Sequence, residues 1–232
     1  MIASIMQPYL LPYIGYFQLV ACSDIFVAHD DVQYIKGGWI NRNRILLNGR
    51  PDWITLPVAG ADHSLSIRER RYTQPEHHVP KMLRRVEAAY RGAPFFDVAF
   101  PFLQDALSLD ESNVAAFNLS VLKCLTARVG IRTPIVVSSS LGIGKELRGQ
   151  DRVIAICRRV GATRYLNPIG GTSLYDTHGF ADAGIALNFL KSTVSPYQQF
   201  RQTPVPFLSI VDVLMFNDET AISQMLTEYE LL

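Results

Sequence analysis

The chain has 232 residues, 48% hydrophobic and 19% charged, so it holds enough apolar material for a substantial core and is neither disordered nor fibrous. Its 22 basic and 21 acidic side chains leave a net charge of +1, which excludes a global field that would hold nucleic acid or an anionic membrane. Any anionic ligand must therefore be held locally, and we expect no nucleic-acid partner.

The first residues indicate neither a signal peptide nor a membrane-spanning helix. Residues 1–17 lack the basic group that opens a signal peptide, and Gln7, Pro8 and Pro12 interrupt their apolar run. The three cysteines are odd in number and far apart, and the histidines lack metal-ligand spacing, so we predict no disulfide and no metal site. The sequence favours a cytoplasmic protein without membrane insertion.

The first quarter of the chain predicts a strand, a loop, a helix and a second strand, followed by a hairpin. Ile2 to Met6 is a short apolar run, and Pro12 to Ala21 shows helical spacing of its apolar residues. Ile25 to Ala28 predicts a second buried strand. Residues 39–58 predict a β-hairpin, because Asn48-Gly49 separates two strand-like runs.

Helical patterns follow, and strand patterns then alternate with helical ones. Three amphipathic stretches predict a helical insertion over residues 74–130. The tail predicts two short helices, at Ser209 to Phe216 and Glu219 to Tyr229. The alternating elements between them are strands at Ile135 to Ser138, Arg164 to Asn167 and Ile185 to Leu190, with helices at Gln150 to Val160 and Leu174 to Ala183.

This order predicts a single α/β domain, residues 1–232, built on a five-stranded parallel doubly wound sheet with a β-hairpin and a helical insertion. The strand, loop and glycine-bearing helix start are similar to those of nucleotidylyltransferases, although Tyr13 and Tyr16 stand near the places of that family's two histidines. In such sheets ligands bind at the carboxyl ends of the strands, near the switch point. Three segments are predicted to meet there: Gln7 to Gly15, His29 to Arg44, and Asn167 to Gly171.

The first segment joins the first strand to the first helix, so backbone N–H groups and the positive end of the helix dipole face a bound ligand. Its glycine permits close approach, and its tyrosine rings offer stacking faces with hydroxyl groups. Tight packing around the two prolines would explain the same pattern. The residues predicted to bind substrate are Gln7, Tyr9, Tyr13, Gly15 and Tyr16.

The second segment is the densest mixture of acids, amides and cations in the chain. Its paired carboxylates beside a lysine can serve as acid and base, bind magnesium, or simply cap a helix and form surface ion pairs. Arg42 and Arg44 alternate along a strand and can share one face. We predict catalytic roles for Asp30, Asp31 and Lys36. The predicted substrate-binding residues are Gln33, Trp39, Asn41 and Arg42.

The third segment leaves a strand and enters a helix, and its glycines and hydroxyl groups can cradle a phosphate or an oxyanion. An ordinary glycine-rich turn with Thr172 as the helix N-cap is the alternative. The residues predicted to bind substrate here are Asn167, Gly170, Gly171 and Tyr175.

These motifs together carry a family resemblance. Gln7-Pro-Tyr with Pro-Tyr-x-Gly-Tyr-Phe, Asp30-Asp-Val-Gln-Tyr-x-Lys with Trp-Ile-Asn-Arg-Asn-Arg44, Tyr165-x-Asn with Gly-Gly171, and Tyr197 with Ser-Ile-Val-Asp212 resemble the WbqC-like protein family over nearly the whole chain. Several rare combinations occur in the right order, which makes the resemblance specific. It implies a role beside bacterial surface-polysaccharide (O-antigen) genes, where some members are described as glycine or aminoacyl transferases.

The expected function is therefore transfer of an acyl or aminoacyl group, possibly glycyl, to an amino sugar or related amine. The expected partners are a small-molecule substrate, such as a nucleotide-linked amino sugar, and an acyl donor or carrier protein. The cofactor is unknown. A nucleotide-dependent transferase or ligase, with Asp30 and Asp31 holding magnesium, is one alternative. A non-catalytic module that binds a nucleotide sugar or a carrier protein is the other.

Overall fold

A computed structural model describes residues 1–60, 62, 64–200 and 203–232. The strands are β1 (Ile2–Met6), β2 (Ile25–Ala28), β3 (Arg42–Leu47), β4 (Arg50–Thr55), β5 (Ile135–Val137), β6 (Arg164–Pro168), β7 (Ala186–Ser192) and β8 (Tyr229–Leu231). The α-helices are α1 (Ile14–Ala21), α2 (Pro75–Tyr90), α3 (Phe96–Leu107), α4 (Val114–Arg128), α5 (Gly149–Val160), α6 (Thr177–Asp182), α7 (Ile210–Phe216) and α8 (Glu219–Met225). Short 3-10 helices lie at Ile67–Glu69, Ser138–Ser140 and Ile169–Leu174. No helix among these residues is long and apolar enough to cross a membrane.

The central sheet has the order β5-β2-β1-β6-β7-β8, and every neighbouring pair is parallel except β7 with β8. The predicted α/β class, the mostly parallel sheet and the separate hairpin of β3 and β4 are confirmed. The predicted strand count of five is wrong by one. Helix α8 was expected to reach Tyr229 but ends at Met225, and Tyr229–Leu231 pairs antiparallel with the edge of β7. A three-residue edge strand is too short to show a period of its own.

Apolar side chains alternate along the strands and supply one core on each face of the sheet. Phe26, Ala28, Leu166 and Leu190 belong to the larger core, which also contains α1, α4 and α7. The smaller core on the opposite face joins strand residues to α5 and α6; its strand members include Ala3, Ile5, Val27 and Tyr165. Since successive strand side chains point to opposite faces, the two sets are a direct consequence of the period of two.

Two buried asparagines hold the loop that follows β1, and a third lies at the base of the hairpin. Asn118 on α4 donates to the carbonyl oxygens of Pro8 at 2.9 Å and Ile40 at 2.7 Å, and it accepts from the Tyr72 hydroxyl at 2.7 Å. Asn43 on β3 donates to the Leu10 and Leu11 carbonyls at 3.2 and 2.8 Å. Asn41 donates to Leu56 at 2.9 Å. A loop without regular structure must satisfy its backbone groups in this way when it is buried.

We predict that Asn118→Leu lowers the free energy of unfolding by about 3 kcal/mol, because it leaves the Pro8 carbonyl and the Tyr72 hydroxyl buried without their present partner. Urea unfolding followed by circular dichroism measures the loss. Gln104→Leu makes the same kind of change at an exposed helix position and is expected to stay within about 0.5 kcal/mol of wild type. Equal losses in the two variants would contradict the assigned role of Asn118.

Candidate functional site

The register of the parallel strands places the ends of three predicted segments in one row. Met6 is opposite Ala28, and Ala28 is opposite Val137, while β1 and β6 pair from Ile2 with Arg164 onward. Continuing the β5–β2–β1 register by one residue puts Ser138, His29 and Gln7 side by side, and Ile169 follows the end of β6, the other neighbour of β1. Neighbouring strands lie about 4.8 Å apart. The chain order reverses between β1 and β6, so this row crosses the switch point, where ligands bind in open α/β sheets.

Strand alternation directs three polar side chains of this edge to the same face. Ile5, Val27 and Tyr165 belong to the core below α5 and α6. Gln7, His29 and Asn167 each follow one of these residues by two positions and therefore continue the same face. This edge, on the face that carries α5, is the candidate site.

Asp30 is a buried carboxylate that is held by the first residues after β5. One of its oxygens accepts from the Ser139 backbone N–H at 3.0 Å and lies 3.1 Å from the Ser138 hydroxyl. Its other oxygen accepts from the Ser139 hydroxyl at 2.7 Å. Asp30 is 6% exposed, so these donors replace the water that a carboxylate would otherwise require.

Asp31 forms an ion pair with Arg152 of α5, and it also contacts the Ser138 hydroxyl. Arg152 is buried, and its other terminal nitrogen donates to the Gly144 carbonyl at 2.9 Å. Asp31 and Arg152 thus fasten the end of β2 to the first turn of α5. Because one hydroxyl proton cannot serve two carboxylates at once, Ser138 couples Asp30 to Asp31.

His29 lies against this ion pair without a hydrogen bond to it. Its Nε2 is 3.8 Å from Asp31 Oδ1, and among the described residues no group bonds to this buried atom. Burial lowers the pKa of His29 from 6.5 to about 4; the carboxylates of Asp31 and Asp30 oppose this change, and the Arg152 guanidinium adds to it. The imidazole is therefore neutral near pH 7, with one ring nitrogen able to accept a proton.

The first segment is more buried than its predicted role requires. Tyr16 is 2% exposed and donates to the Gln7 carbonyl at 2.9 Å, and Gly15 leaves room for the Tyr13 ring, which a Cβ there would overlap. Tyr9 and Tyr13 are half-buried, and burial raises the pKa of both hydroxyls. Tyr13 turns towards Phe207, with ring centroids 6.4 Å apart. The substrate-binding role of these residues remains a prediction.

The third segment supplies a buried amide. Asn167 accepts from the Tyr165 hydroxyl at 3.1 Å, and that hydroxyl lies 3.3 Å from the hydroxyl of Tyr175. A Cβ at Gly171 would overlap the Asn167 amide nitrogen, so a larger residue there would displace that amide, whereas Gly170 is exposed with open space around it. The N-cap of α6 is Asp176 rather than Thr172, because the Ile169–Leu174 turn comes before the helix.

The remaining predicted residues lie along the segment from Asp31 to the hairpin. Lys36 and Gln33 are exposed, and Gln33 forms an isolated bridge with Ser66. Asn41 is buried and accepts from the Tyr34 hydroxyl at 2.9 Å, so its contacts lie within the hairpin base. Trp39 and Arg42 belong to a stack on the outer face of the hairpin. The structure therefore brings Asp30, Asp31, Gln7 and Asn167 to one edge and groups Trp39 and Arg42 on the hairpin.

Two cavities adjoin the carboxyl edge of the sheet. One, of about 250 Å³, is lined by Asp30 and Arg68 and by mostly apolar groups of Pro8, Ala28, Leu119 and Val137. The other, of about 210 Å³, lies at the end of β7 and is lined by residues including Tyr197, Gln199 and Phe207. Tyr197 and Gln199 both donate to the buried carboxylate of Asp212, each at 2.6 Å.

Sequence reasoning missed Arg152, Ser138 and the coupling of His29 to them. His29 precedes the predicted acid pair, which was a usable signal, but Arg152 is more than 100 positions away and looks like an ordinary helix cation. In the part of the chain that the structure describes, no three histidine, cysteine or acidic side chains form a group that could hold a metal ion. His63 lies outside the described residues.

The low pKa of His29 predicts a specific pH dependence of stability. Because the folded-state value of about 4 lies below the unfolded value of 6.5, the unfolded chain binds the proton first as the pH falls. Stability is full above pH 6.5, and about 3 kcal/mol is lost as the pH falls to about 4. Urea unfolding at several pH values should show a smaller loss in His29→Gln and an unchanged loss in His178→Gln, an exposed control. Parallel curves for both variants would refute the assigned environment of His29.

Comparison with known proteins identifies the family. The sequence profile described as the WbqC-like protein family matches residues 7–224, which include the carboxyl-edge residues, the hairpin and Asp212. An uncharacterized protein of Mycobacterium tuberculosis, Rv1507c, is 30% identical over 220 residues, which cover 92% of each chain. No solved structure gives a significant match. The chain belongs to the WbqC-like protein family.

Proposed function

We propose that this protein transfers an acyl or aminoacyl group to the amine of an amino sugar or a related small molecule. The observation that carries the proposal is the alignment of His29, Asp31 and Arg152 at the switch-point edge. A neutral imidazole beside a carboxylate can receive a proton on the ring nitrogen that faces away from the carboxylate, because the carboxylate then stabilises the imidazolium. The family adds the expectation of a role beside bacterial surface-polysaccharide synthesis, in the cytoplasm.

The proposed reaction begins when the acceptor amine attacks the carbonyl carbon of the donor. A carbon–nitrogen bond forms, the carbonyl oxygen gains negative charge, and the amine proton passes to Nδ1 of His29. The Nε2–H of the resulting imidazolium then donates to Asp31, which stabilises the positive charge. The oxyanion collapses, the bond to the donor's leaving group breaks, and the proton held by His29 neutralises that group.

Arg152 is a positioning residue in this scheme. Its guanidinium holds Asp31, and the second contact to Gly144 fixes the guanidinium in turn. The cavity beside Asp30 is lined by residues of α4 and of the larger core, on the opposite face of the sheet, so this scheme does not use it; the reaction takes place on the His29 face. Asn167 supplies an amide on the same face, where it can orient the acceptor. We propose that the sheet has a doubly wound, nucleotidylyltransferase-like arrangement, which the strand order supports.

The metal-dependent alternative has less support from the geometry. Magnesium requires carboxylate oxygens that are free to coordinate it. Asp30 already accepts three close contacts from Ser138 and Ser139, and Asp31 is paired with Arg152. Binding of magnesium would require these contacts to break, and the guanidinium would repel the ion.

The proposal predicts that His29→Gln lowers kcat by about 100-fold or more while KM changes little, since the lost interaction belongs to proton transfer. The assay mixes the protein with acyl thioesters of coenzyme A or with glycyl adenylate, and with a UDP-linked amino sugar as acceptor. Mass spectrometry detects the acyl group gained by the acceptor.

The chain offers a matched control in His178 and Asp176, which have the same spacing of two residues but are exposed, with a nitrogen–oxygen distance of 3.3 Å. His178→Gln is expected to retain wild-type turnover. If His29→Gln turned over at the wild-type rate, the proton-transfer role assigned to His29 would be wrong. Absence of transfer from every donor class, in a protein that unfolds cooperatively, would overturn the proposed function.

A further inference from the structure

We infer that the outer face of the hairpin and the adjoining ridge of α2 bind a nucleoside diphosphate, the group that would carry the amino sugar acceptor. The inference rests on the proposed function for the identity of the acceptor, and on the hairpin itself for the binding site. The site consists of Trp39, Trp53 and Arg42 on the hairpin, with Lys81 and Arg85 on α2, and we call it the hairpin groove.

An aromatic and cationic stack forms the first part of the hairpin groove. The ring centroids of Trp39 and Trp53 are 5.1 Å apart, the Arg42 guanidinium carbon lies 4.1 Å from the Trp53 centroid, and that of Arg44 lies 5.3 Å from the Trp39 centroid. Trp39 and Trp53 are 38% and 37% exposed. Large aromatic side chains on a surface are costly to leave in water, so a paired and pre-oriented set indicates a binding surface.

Basic side chains form the second part. Within the hairpin groove, a cavity of about 210 Å³ lies between β4 and α2. Its lining residues include Trp53, His78, Lys81 and Arg85. His78, Lys81 and Arg85 follow one another at helical spacing and share one face of α2. Asp52 pairs with Arg85 at 2.8 Å at the far end of this ridge, which orients the guanidinium. The groove therefore presents the Lys81 ammonium group and the Arg85 guanidinium, which is paired with Asp52, beside an indole ring.

The combination of aromatic rings with basic side chains fits a nucleoside diphosphate better than it fits other anionic ligands, such as pyrophosphate or a nucleic acid. A nucleobase stacks on an aromatic ring, and a diphosphate carries the negative charge that lysine and arginine bind. Pyrophosphate alone would make no use of the tryptophans. A nucleic acid would require a much longer basic surface, whereas the net charge of the chain is +1.

The hairpin groove is physically connected to the carboxyl edge. Arg42 donates to the Gly38 carbonyl at 3.1 Å and also to the Gly37 carbonyl, so the segment that leaves Asp31 is fastened to the stack. Residues 31–41, which include exposed Lys36, join the hairpin groove to the end of β2 along the chain. This assigns Trp39 and Arg42 to the nucleotide and leaves the chemistry to the sheet edge.

The chain contains two tryptophans, and both lie in the hairpin groove, so intrinsic fluorescence reports on this site directly. Titration with UDP is expected to produce a saturable change in tryptophan emission. Uridine and inorganic pyrophosphate should each bind at least about tenfold more weakly, because each provides only one of the two contacts. Arg85→Ala should raise the Kd for UDP about tenfold, since it removes a charged contact.

Arg84→Ala is the matched control, because Arg84 is an exposed neighbour on the same helix but does not line the groove. Equal weakening by the two variants, no saturable response to UDP, or tighter binding of an oligouridylate than of UDP would overturn the inference. The outcome is separable from the proposed function. Acyl transfer without a UDP-dependent change in fluorescence would contradict the nucleotide site and leave the proposed reaction standing. UDP binding without acyl transfer would contradict the proposed reaction and leave the nucleotide site standing.

Discussion

Parallel pairing of β1 between β2 and β6 is the constraint on which the candidate site depends. β6 is far from β1 and β2 in the chain, yet parallel pairing brings its carboxyl end to the same edge of the sheet as Gln7 and His29. The polar groups of the candidate site come from several segments, and no segment forms the site alone. Because strand side chains alternate, the same pairing also decides that Gln7, His29 and Asn167 share a face while Asp30 turns to the other.

Burial of charged and polar side chains at the sheet edge is the second constraint on the candidate site. Asp30, Arg152 and His29 are mostly buried, and each requires a partner in place of water. Ser138 and Ser139 satisfy Asp30, and Arg152 satisfies Asp31, but Nε2 of His29 is left without a bond within the described chain. A buried nitrogen without a hydrogen-bond partner lowers the stability of the fold. Such groups occur most often at functional sites. The amide nitrogens of Asn43 and Asn118, which hold residues 8–11, all have hydrogen-bond acceptors, so these two residues have a structural role.

Prediction succeeded where a pattern is local. Ile2–Met6, Ile25–Ala28 and the Asn48-Gly49 hairpin follow from apolar runs and turn chemistry, and the structure has them at or near the expected bounds. It failed where a partner distant in sequence decides the outcome. Tyr229–Leu231 becomes a strand because the edge of β7 is available to it. The substrate-binding roles of Tyr16 and Asn41 remain predictions; the sequence did not show the internal hydrogen bonds that their polar atoms make in the fold.

The amino-acid pattern alone was sufficient for the α/β class, the three segments at the strand ends and membership of the family, since composition, period and motif order are properties of the chain. Only the tertiary structure showed the ion pair of Asp31 with Arg152, the low pKa of His29 and the stacking contact of Trp39 with Trp53. Charge pairing and desolvation depend on distance in space. In a mostly parallel sheet that distance is set by strand order, which no local stretch of sequence encodes.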